Sequence, residues 1–399
     1  MAYDNFSTTR HTRRKESPEP EQNRIMIGGI NWSICVITIM LIGAGMIMVY
    51  SASYDKHGSF YLIQNLKWAL LGAIVLVACS RMNYNWLNNR KFTLWLFFIS
   101  VVLLCLVLLL GRTVGGAKRR IMGFQPSEFV KLFTIIILAH MLDTNKIFST
   151  THKGFWTCII IFVGIPVGLI ALGNASTAII LAVVCMAMMF TVVDKFGWFI
   201  EVLGLGGLAG VVVLLHGKGF RMARINAWLH PFEDTSNTGY QVIHSLYAVA
   251  SGGLSGLGLG NSREKLSYLP EAHNDMIFSI ICEEMGLFGS VILVLLFSAL
   301  IFCGYRVAIK CYNTFGSLIA VGITTMIAIQ VVINMGVATN TIPNTGIPMP
   351  FISYGGSSLV INMASIGLLL SISRFFKDKK EVKKRRDEDR SNAGSSLLR

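Results

Sequence analysis

Tyr268-Leu-Pro270-Glu271-Ala-His273-Asn-Asp275 runs directly into Met276-Ile-Phe-Ser-Ile-Ile-Cys-Glu283-Glu284-Met-Gly286, and the chain stays apolar to about residue 304. About 20 apolar residues suffice for a helix to cross the hydrocarbon core of a membrane. This stretch therefore reads as a membrane-spanning helix entered through an acidic, proline-led turn. Asp275 falls where that helix meets water, on the same helical face as Glu271, with Pro270 marking the helix start. Glu283 and Glu284 lie roughly 12 Å deeper at 1.5 Å per residue. Acidic groups in hydrocarbon cost roughly 2.5–3.5 kcal/mol each even on the mild insertion scale, so three in one segment need a reason. Glu283 and Glu284 are expected to tie helices together, through hydrogen bonds or a buried cation.

Outward from this stretch the same pattern repeats. Apolar residues make up 53% of the chain and charged ones 14%, far from the balance of a soluble domain. Ten apolar runs are long enough to be spans: about 28–51, 63–80, 93–111, 128–142, 154–172, 175–193, 197–216, 276–304, 316–338 and 352–373. The fold class expected is an all-α polytopic membrane protein. A basic, disordered tail (1–27) precedes the membrane domain (28–373), and a second basic tail (374–399) follows it. The membrane domain carries a large outer loop (217–275). The fourth run is short and holds Glu128 and Lys131 in its first turn, which suggests a tilted or re-entrant helix. The polar N-terminus and the long first run argue against a cleavable signal peptide.

The net charge of +14 would suit nucleic acid, but its placement does not. Arg13, Arg14 and Lys15 precede the first span, and Lys379, Lys380, Lys383, Lys384, Arg385 and Arg386 follow the last. By the positive-inside rule both termini are cytoplasmic, as an even number of spans requires. The C-terminal run reads as a topology determinant touching anionic lipid heads, with partner docking as the alternative. The eight cysteines lie in or beside spans and read as small buried hydrophobes, not as a disulfide framework or zinc site.

Three loops then face outward. Residues 112–127 contain Arg112, Lys118, Arg119 and Arg120, basic groups on the side where the rule disfavours them. Such a cluster suits phosphate oxygens, which Arg grips in bidentate fashion; snorkelling to lipid head groups is the plainer alternative. Residues 217–275 carry Arg221, Arg224 and glycines 252, 253, 256, 258 and 260. No strand precedes that glycine series, so it is not a dinucleotide fingerprint; close packing or bending of short helices explains it better. Residues 339–356 contain Pro343, Pro348 and Pro350 and no charge, and read as a re-entrant wall of a cavity.

Asp275 could serve as a general base, a divalent-cation ligand or half of an ion pair. Glu128 and Lys131, three apart, share a helix face and can pair. His273 reads first as a local hydrogen-bonding residue. The chain has no P-loop, H-E-x-x-H, G-x-S-x-G or Cys/His cluster. A reaction on the outer face must then draw on the substrate itself or on an ion gradient.

Several motifs, in order, resemble the SEDS family of bacterial peptidoglycan polymerases. They are Val49-Tyr-Ser-Ala-Ser53, Gln125-Pro-Ser-Glu128-Phe-Val-Lys131-Leu, Gly252-Gly-Leu-Ser-Gly-Leu-Gly-Leu-Gly-Asn261-Ser, Leu269-Pro-Glu-Ala-His-Asn-Asp275, and Asn334-Met-Gly through Gly346-Ile-Pro-Met-Pro-Phe-Ile-Ser-Tyr-Gly-Gly-Ser-Ser358. The resemblance spans all ten runs. It implies a glycosyltransferase that polymerises lipid II on the outer face of the bacterial cytoplasmic membrane, with a class B penicillin-binding protein as partner. The family's catalytic aspartate falls on Asp275 and its cavity glutamate and lysine on Glu128 and Lys131. His273, Tyr354 and Ser357, in the same motifs, are expected at the substrate site with Lys118, Arg119 and Arg120. A divalent cation, Mg²⁺ or Mn²⁺, is implied by the resemblance alone, with Asp275 its candidate ligand. Pro270-Glu-Ala-His273 and the basic tails resemble the division branch, FtsW, more than the elongation (RodA) or sporulation (SpoVE) branches, which implies division-protein partners and a septal location. The chain departs from the family at Leu172-Gly-Asn174-Ala-Ser-Thr177, where an acid is usual, and at Arg120, where a tryptophan is usual. A lipid flippase or ion-coupled transporter and a non-catalytic scaffold are the competing readings. A transporter would place its ionisable groups near the midplane rather than at the outer boundary.

Overall fold

A helix lies on each of the ten apolar runs in the computed structural model, which describes residues 26–27, 29–114, 117–120, 124–216, 220–233, 238–266 and 269–376. α1 (Trp32–His57), α2 (Phe60–Arg81) and α3 (Arg90–Leu110) come first, then α4 (Pro126–Thr144) and the single turn α5 (Ile147–Thr150). α6 (His152–Cys158) passes through a π-helical stretch (Ile159–Gly164) into α7 (Ile165–Gly173). Pro166 explains that stretch, because it has no N–H to donate and its ring crowds the preceding turn. α8 (Ala175–Phe190) and α9 (Phe196–His216) complete the first half. The outer loop folds into α10 (Phe220–Leu229) and α11 (Thr238–Ser251), and the chain closes with α12 (Ile277–Lys310), α13 (Thr314–Ala338) and α14 (Gly356–Ser373).

Among the described residues, seven helical stretches are long and apolar enough to cross a membrane; α8 and Phe196–Leu208 are apolar but shorter. α13 and α14 are 72% and 78% buried over their apolar windows against 17% for α2, so they form the centre while α2 faces lipid. The short fourth run is a 19-residue helix buried along most of its length. Protein, not lipid, surrounds it, which is why it can carry Glu128, Lys131 and His140. Met26–Ile27 pairs antiparallel with Phe375–Phe376, so the two ends of the described chain meet.

α12 is two helices. At Gly286 the backbone takes φ 64° and ψ −163°, a combination essentially reserved for glycine. The break strands carbonyls at the end of the first piece and N–H groups at the start of the second, which an apolar setting cannot leave unpaired. The glycine series supplies the partners. Leu257 N and Gly258 N donate to the Glu283 and Glu284 carbonyls at 2.9 and 3.0 Å, while Leu287 N and Phe288 N donate to the Gly253 and Leu254 carbonyls at 2.9 and 3.2 Å. The approach is backbone to backbone: a Cβ on Gly252 would meet the Cys282 carbonyl, one on Gly256 the Glu284 carbonyl, and one on Gly286 the Gly256 amide. Gly253, Gly256, Gly258 and Gly260 all have positive φ, so the series bends as well as packs.

The acids of this half-helix are fully engaged. Glu283 accepts from Ser262 Oγ and from Arg263 N at 2.8 Å; Glu284 accepts from Ser51 Oγ of α1 at 2.6 Å and from Lys265 Nζ at 3.3 Å. Lys265, 4% exposed, also donates to the Gly260 carbonyl at 2.7 Å and lies 3.5 Å from Asp55. The expected buried cation is thus a lysine from the outer loop, and it ties α1, the loop and α12 together.

The helix start differs from expectation. Residues 270–276 are turns and α12 begins at Ile277. Glu271 takes φ 52° and its carbonyl accepts from Asn274 N at 2.9 Å, closing a tight turn that turns Glu271 away from any helical face shared with Asp275.

Gly286→Ala should lower thermal stability in detergent, by about 1–3 kcal/mol from backbone strain alone, with the collision against residues 254–256 adding to it. A melting curve of the purified variant matching wild type would show that the break tolerates a side chain.

Candidate active site

Asp275 stands at the mouth of the half-helix, two residues before its first turn, where a negative charge is favoured by the helix dipole. Its backbone is fixed from below: Asn334 Nδ2 of α13 donates to the Asp275 carbonyl and to the Ile347 carbonyl, each at 2.9 Å. One side chain thereby locks the aspartate turn to the proline-rich loop. That loop has no helix or strand over residues 339–355, yet Ile347, Met349, Phe351 and Ile352 are buried in it, as a cavity wall buried in protein requires. It meets its own hydrogen-bonding needs through contacts such as Met349 N to Ser353 Oγ at 2.7 Å.

Arg224 of α10 reaches the same place. Its Nη1 donates to the Asn344 carbonyl at 3.2 Å. Burial pulls the guanidinium below its ordinary pKa, and the negative charge of Asp275 pushes it back up. Arginine stays protonated throughout, so a cation held by the proline-rich loop acts electrostatically on Asp275.

His273 and Tyr354 belong to this group. The His273 ring lies 4.4 Å from that of Tyr61 on α2, Tyr354 sits edge-on to Tyr61 at 4.7 Å, and Tyr354 N donates to the His273 carbonyl at 2.9 Å. His273 is therefore set in an aromatic trio that fixes the turn before Asp275. Ser357, at the start of α14, accepts from Gln125 N at 3.3 Å, joining the far end of the loop to the start of α4.

There Glu128 and Lys131 form an ion pair at 2.9 Å, with side chains 5% and 2% exposed. Pro126 starts α4 and Glu128 sits in its first turn, where an acid complements the helix dipole. The loop thus runs between two polar centres, Asp275 with Arg224 at one end and the Glu128–Lys131 pair at the other. Ala117–Arg120 forms a two-stranded hairpin with Arg112–Val114. The side chains of Lys118, Arg119 and Arg120 lie outside the described residues. So do the charged residues of both tails other than Arg374, whose Nη1 donates to the Ser80 carbonyl at 3.5 Å.

Among the described residues, no group of three His, Cys, Asp or Glu side chains could hold a metal. At the atypical turn, Asn174 caps α8, its Oδ1 accepting from Thr177 N at 3.4 Å and its Nδ2 donating to Thr177 Oγ1 at 2.6 Å. An amide does there what an acid could do as a cap.

A bundle of apolar helices with a broken helix that presents an aspartate at its mouth defines a polytopic membrane protein with an internal polar site. A family model spanning FtsW, RodA and SpoVE, described as cell cycle protein, matches residues 32–378, and the chain belongs to that family. Stage V sporulation protein E of Bacillus subtilis is 39% identical over 86% of this chain and 96% of its own length. The probable peptidoglycan glycosyltransferase FtsW of the same organism is 34% identical over 90% and 94%, and that of Trichlorobacter lovleyi 36% over 85% and 92%. A chain from a solved peptidoglycan synthase complex, described as coordinating polymerization and crosslinking, superposes with a TM-score of 0.74 at 26% identity, covering 86% of this chain and 98% of its own. RodA of Thermus thermophilus gives 0.65 at 24%, covering 86% and 97%. The identities to SpoVE and FtsW are too close to separate the branches.

Removing one member of the buried Glu128–Lys131 pair strands the other charge, at about 3–5 kcal/mol. Glu128→Gln and Lys131→Met should each lower the melting temperature, and the double variant should recover most of the loss. Strictly additive losses in the melting curves would show that the two groups are not coupled.

Proposed function

We propose that the protein is a peptidoglycan glycosyltransferase that polymerises lipid II at the outer face of the cytoplasmic membrane. The observation that carries this reading is an aspartate locked by Asn334 at the mouth of a broken helix, in a chain whose FtsW relatives bear that activity in their names. In the reaction, the 4-hydroxyl oxygen of one lipid II bonds to the anomeric carbon of the growing strand. The carbon–oxygen bond to the lipid pyrophosphate breaks, and its electron pair leaves with the pyrophosphate. Asp275 takes the hydroxyl proton as general base. The basic hairpin residues Lys118, Arg119 and Arg120 would meet phosphate oxygens at the head-group level, and Glu128, Lys131, His273, Tyr354 and Ser357 would shape the cavity. No step is routed through a divalent cation; a Mg²⁺ or Mn²⁺ ion would need substrate oxygens and water to complete its shell.

A transporter would need ionisable groups deep in the membrane, and Glu283 and Glu284 are placed there by the sequence. Their carboxylates are taken up by Ser51, Ser262 and Lys265, which supports a structural role over a proton or ion relay. A class B penicillin-binding protein as partner fits the coordination of polymerization with crosslinking described for the similar synthase complex. The division role at the septum, with other division proteins as partners, rests on the Pro270-Glu-Ala-His273 motif and the basic tails.

Asp275→Asn should cut polymerisation of fluorescent lipid II by about 10²–10⁴-fold, the usual worth of a general base, while expression and melting temperature stay near wild type. Polymer bands on a gel at the wild-type rate would remove Asp275 from the mechanism. Expression of the chain should restore septation to cells depleted of FtsW; rescue confined to cells lacking SpoVE would assign it to sporulation instead.

A further inference from the structure

Gln241, in the first turn of α11, joins two parts of the site that lie far apart in sequence. Its Oε1 accepts from Asn344 Nδ2 at 2.8 Å, and its Nε2 donates to the Pro270 carbonyl at 3.4 Å. The main chain fixes the orientation of both amides. Gly346 N donates to Asn344 Oδ1 at 3.1 Å, so Asn344 turns its NH₂ to Gln241. Gln241 then answers with its oxygen and has its own NH₂ left for a carbonyl, which Pro270 supplies. One turn further along α11, Ser245 Oγ donates to the Ala338 carbonyl at 2.8 Å and meets Ser279 Oγ at 2.6 Å, so α11 is itself docked on the end of α13 and the start of α12. These contacts close a ring. From Asp275 it passes through Asn334 to the Ile347 carbonyl, back along the loop to Asn344, across Gln241 to Pro270, and along the turn to Asp275 again. The turn that carries the aspartate is thus held at Pro270, His273 and Asp275 by groups from α11, the loop and α13.

Given the polymerase reading above, on which this rests, we propose that Gln241 is a positioning residue for glycosyl transfer: it sets the distance between the Asp275 turn and the proline-rich loop, and so holds the base where the acceptor hydroxyl arrives. Loss of Gln241 removes the tie at the entry of the turn, so that the turn can pivot about the tie at Asp275. Proton abstraction does not tolerate that freedom, since a catalytic group must be held to within about 0.5 Å and a misplacement of about 1 Å can cost about 10²-fold in rate. The role also needs an amide of this length. A carboxylate in its place still accepts from Asn344 but sets a lone pair against the Pro270 carbonyl, a leucine makes neither bond, and an asparagine is one methylene too short to reach both.

The full-length chain in nanodiscs, with the class B penicillin-binding protein proposed above present, is assayed for polymerisation of fluorescent lipid II over a range of concentrations, and its melting temperature is measured. Gln241→Leu should lose about 10²-fold in kcat, with KM and melting temperature close to wild type. Gln241→Glu should lose as much although it keeps the Asn344 contact, and it decides the matter if the Leu variant does not fold. Added to Asp275→Asn, either substitution should cause no further loss, because a residue that acts through the base has nothing to position once the base is gone; a merely structural role would multiply the two losses. Wild-type kcat in Gln241→Glu, a change confined to KM or melting temperature, or losses that multiply in the double variant overturn the proposal while leaving the polymerase reading intact. No polymer from the wild-type chain would sink that reading and the proposal with it.

Discussion

A helix interrupted inside an apolar bundle survives only if its freed amides and carbonyls find partners within the protein. Here the interruption at Gly286 is matched by the backbone of residues 253–258, with four hydrogen bonds of 2.9–3.2 Å closing it from both sides. The glycines are required by distance as much as by conformation, since a Cβ on Gly252, Gly256 or Gly286 would strike main-chain atoms. The acids of the half-helix and the aspartate at its mouth are positioned by this junction. Lys265 and the serines reach Glu283 and Glu284 because the half-helix ends there, and Asp275 stands at the mouth because it begins there.

The proline-rich loop is the second structural dependency. It has no regular hydrogen-bonding pattern of its own, so side chains from neighbouring helices hold it. Asn334, Arg224, Trp228 and Gln241 attach to its first half, and Gln125 attaches at Ser357 just beyond its end. An irregular wall held at so many points can be shaped to a substrate without the freedom of an exposed loop. The buried Glu128–Lys131 pair lies beyond it, at the start of α4, and such a pair is weak evidence for net stability.

Much of this was legible in the sequence because the governing signals are local. Apolar runs mark the spans; the three-residue spacing of Glu128 and Lys131 brings them together on one face; glycines clustered at 252–260 announce close backbone packing. What escaped depends on contacts distant along the chain. Arg224 stands among other polar residues of the outer loop, and nothing nearby marks it as a charge acting on Asp275, some fifty positions on. Lys265 gives no sign that it is buried against Glu284, because burial of a lysine follows from where α1 and the glycine series meet. The start of α12 was misjudged for a different reason: Pro270 is a good first-turn residue, and only the left-handed backbone at Glu271 delays the helix to Ile277. The fourth run has weak hydropathy because it carries Glu128 and Lys131, and α4 can hold them because protein surrounds it.

The piece of α12 before the break is a rod of about nine residues, roughly 13 Å long, clamped at its inner end by Lys265 and at its outer end by Asn334. Such a rod transmits displacement along its axis rather than absorbing it. The clamp at the inner end includes Ser51 and Asp55 of α1, and the Asp55 side chain is 40% exposed. Any displacement of this end of α1 would reach the half-helix behind Asp275 through the contacts of Lys265 with Asp55 and Glu284.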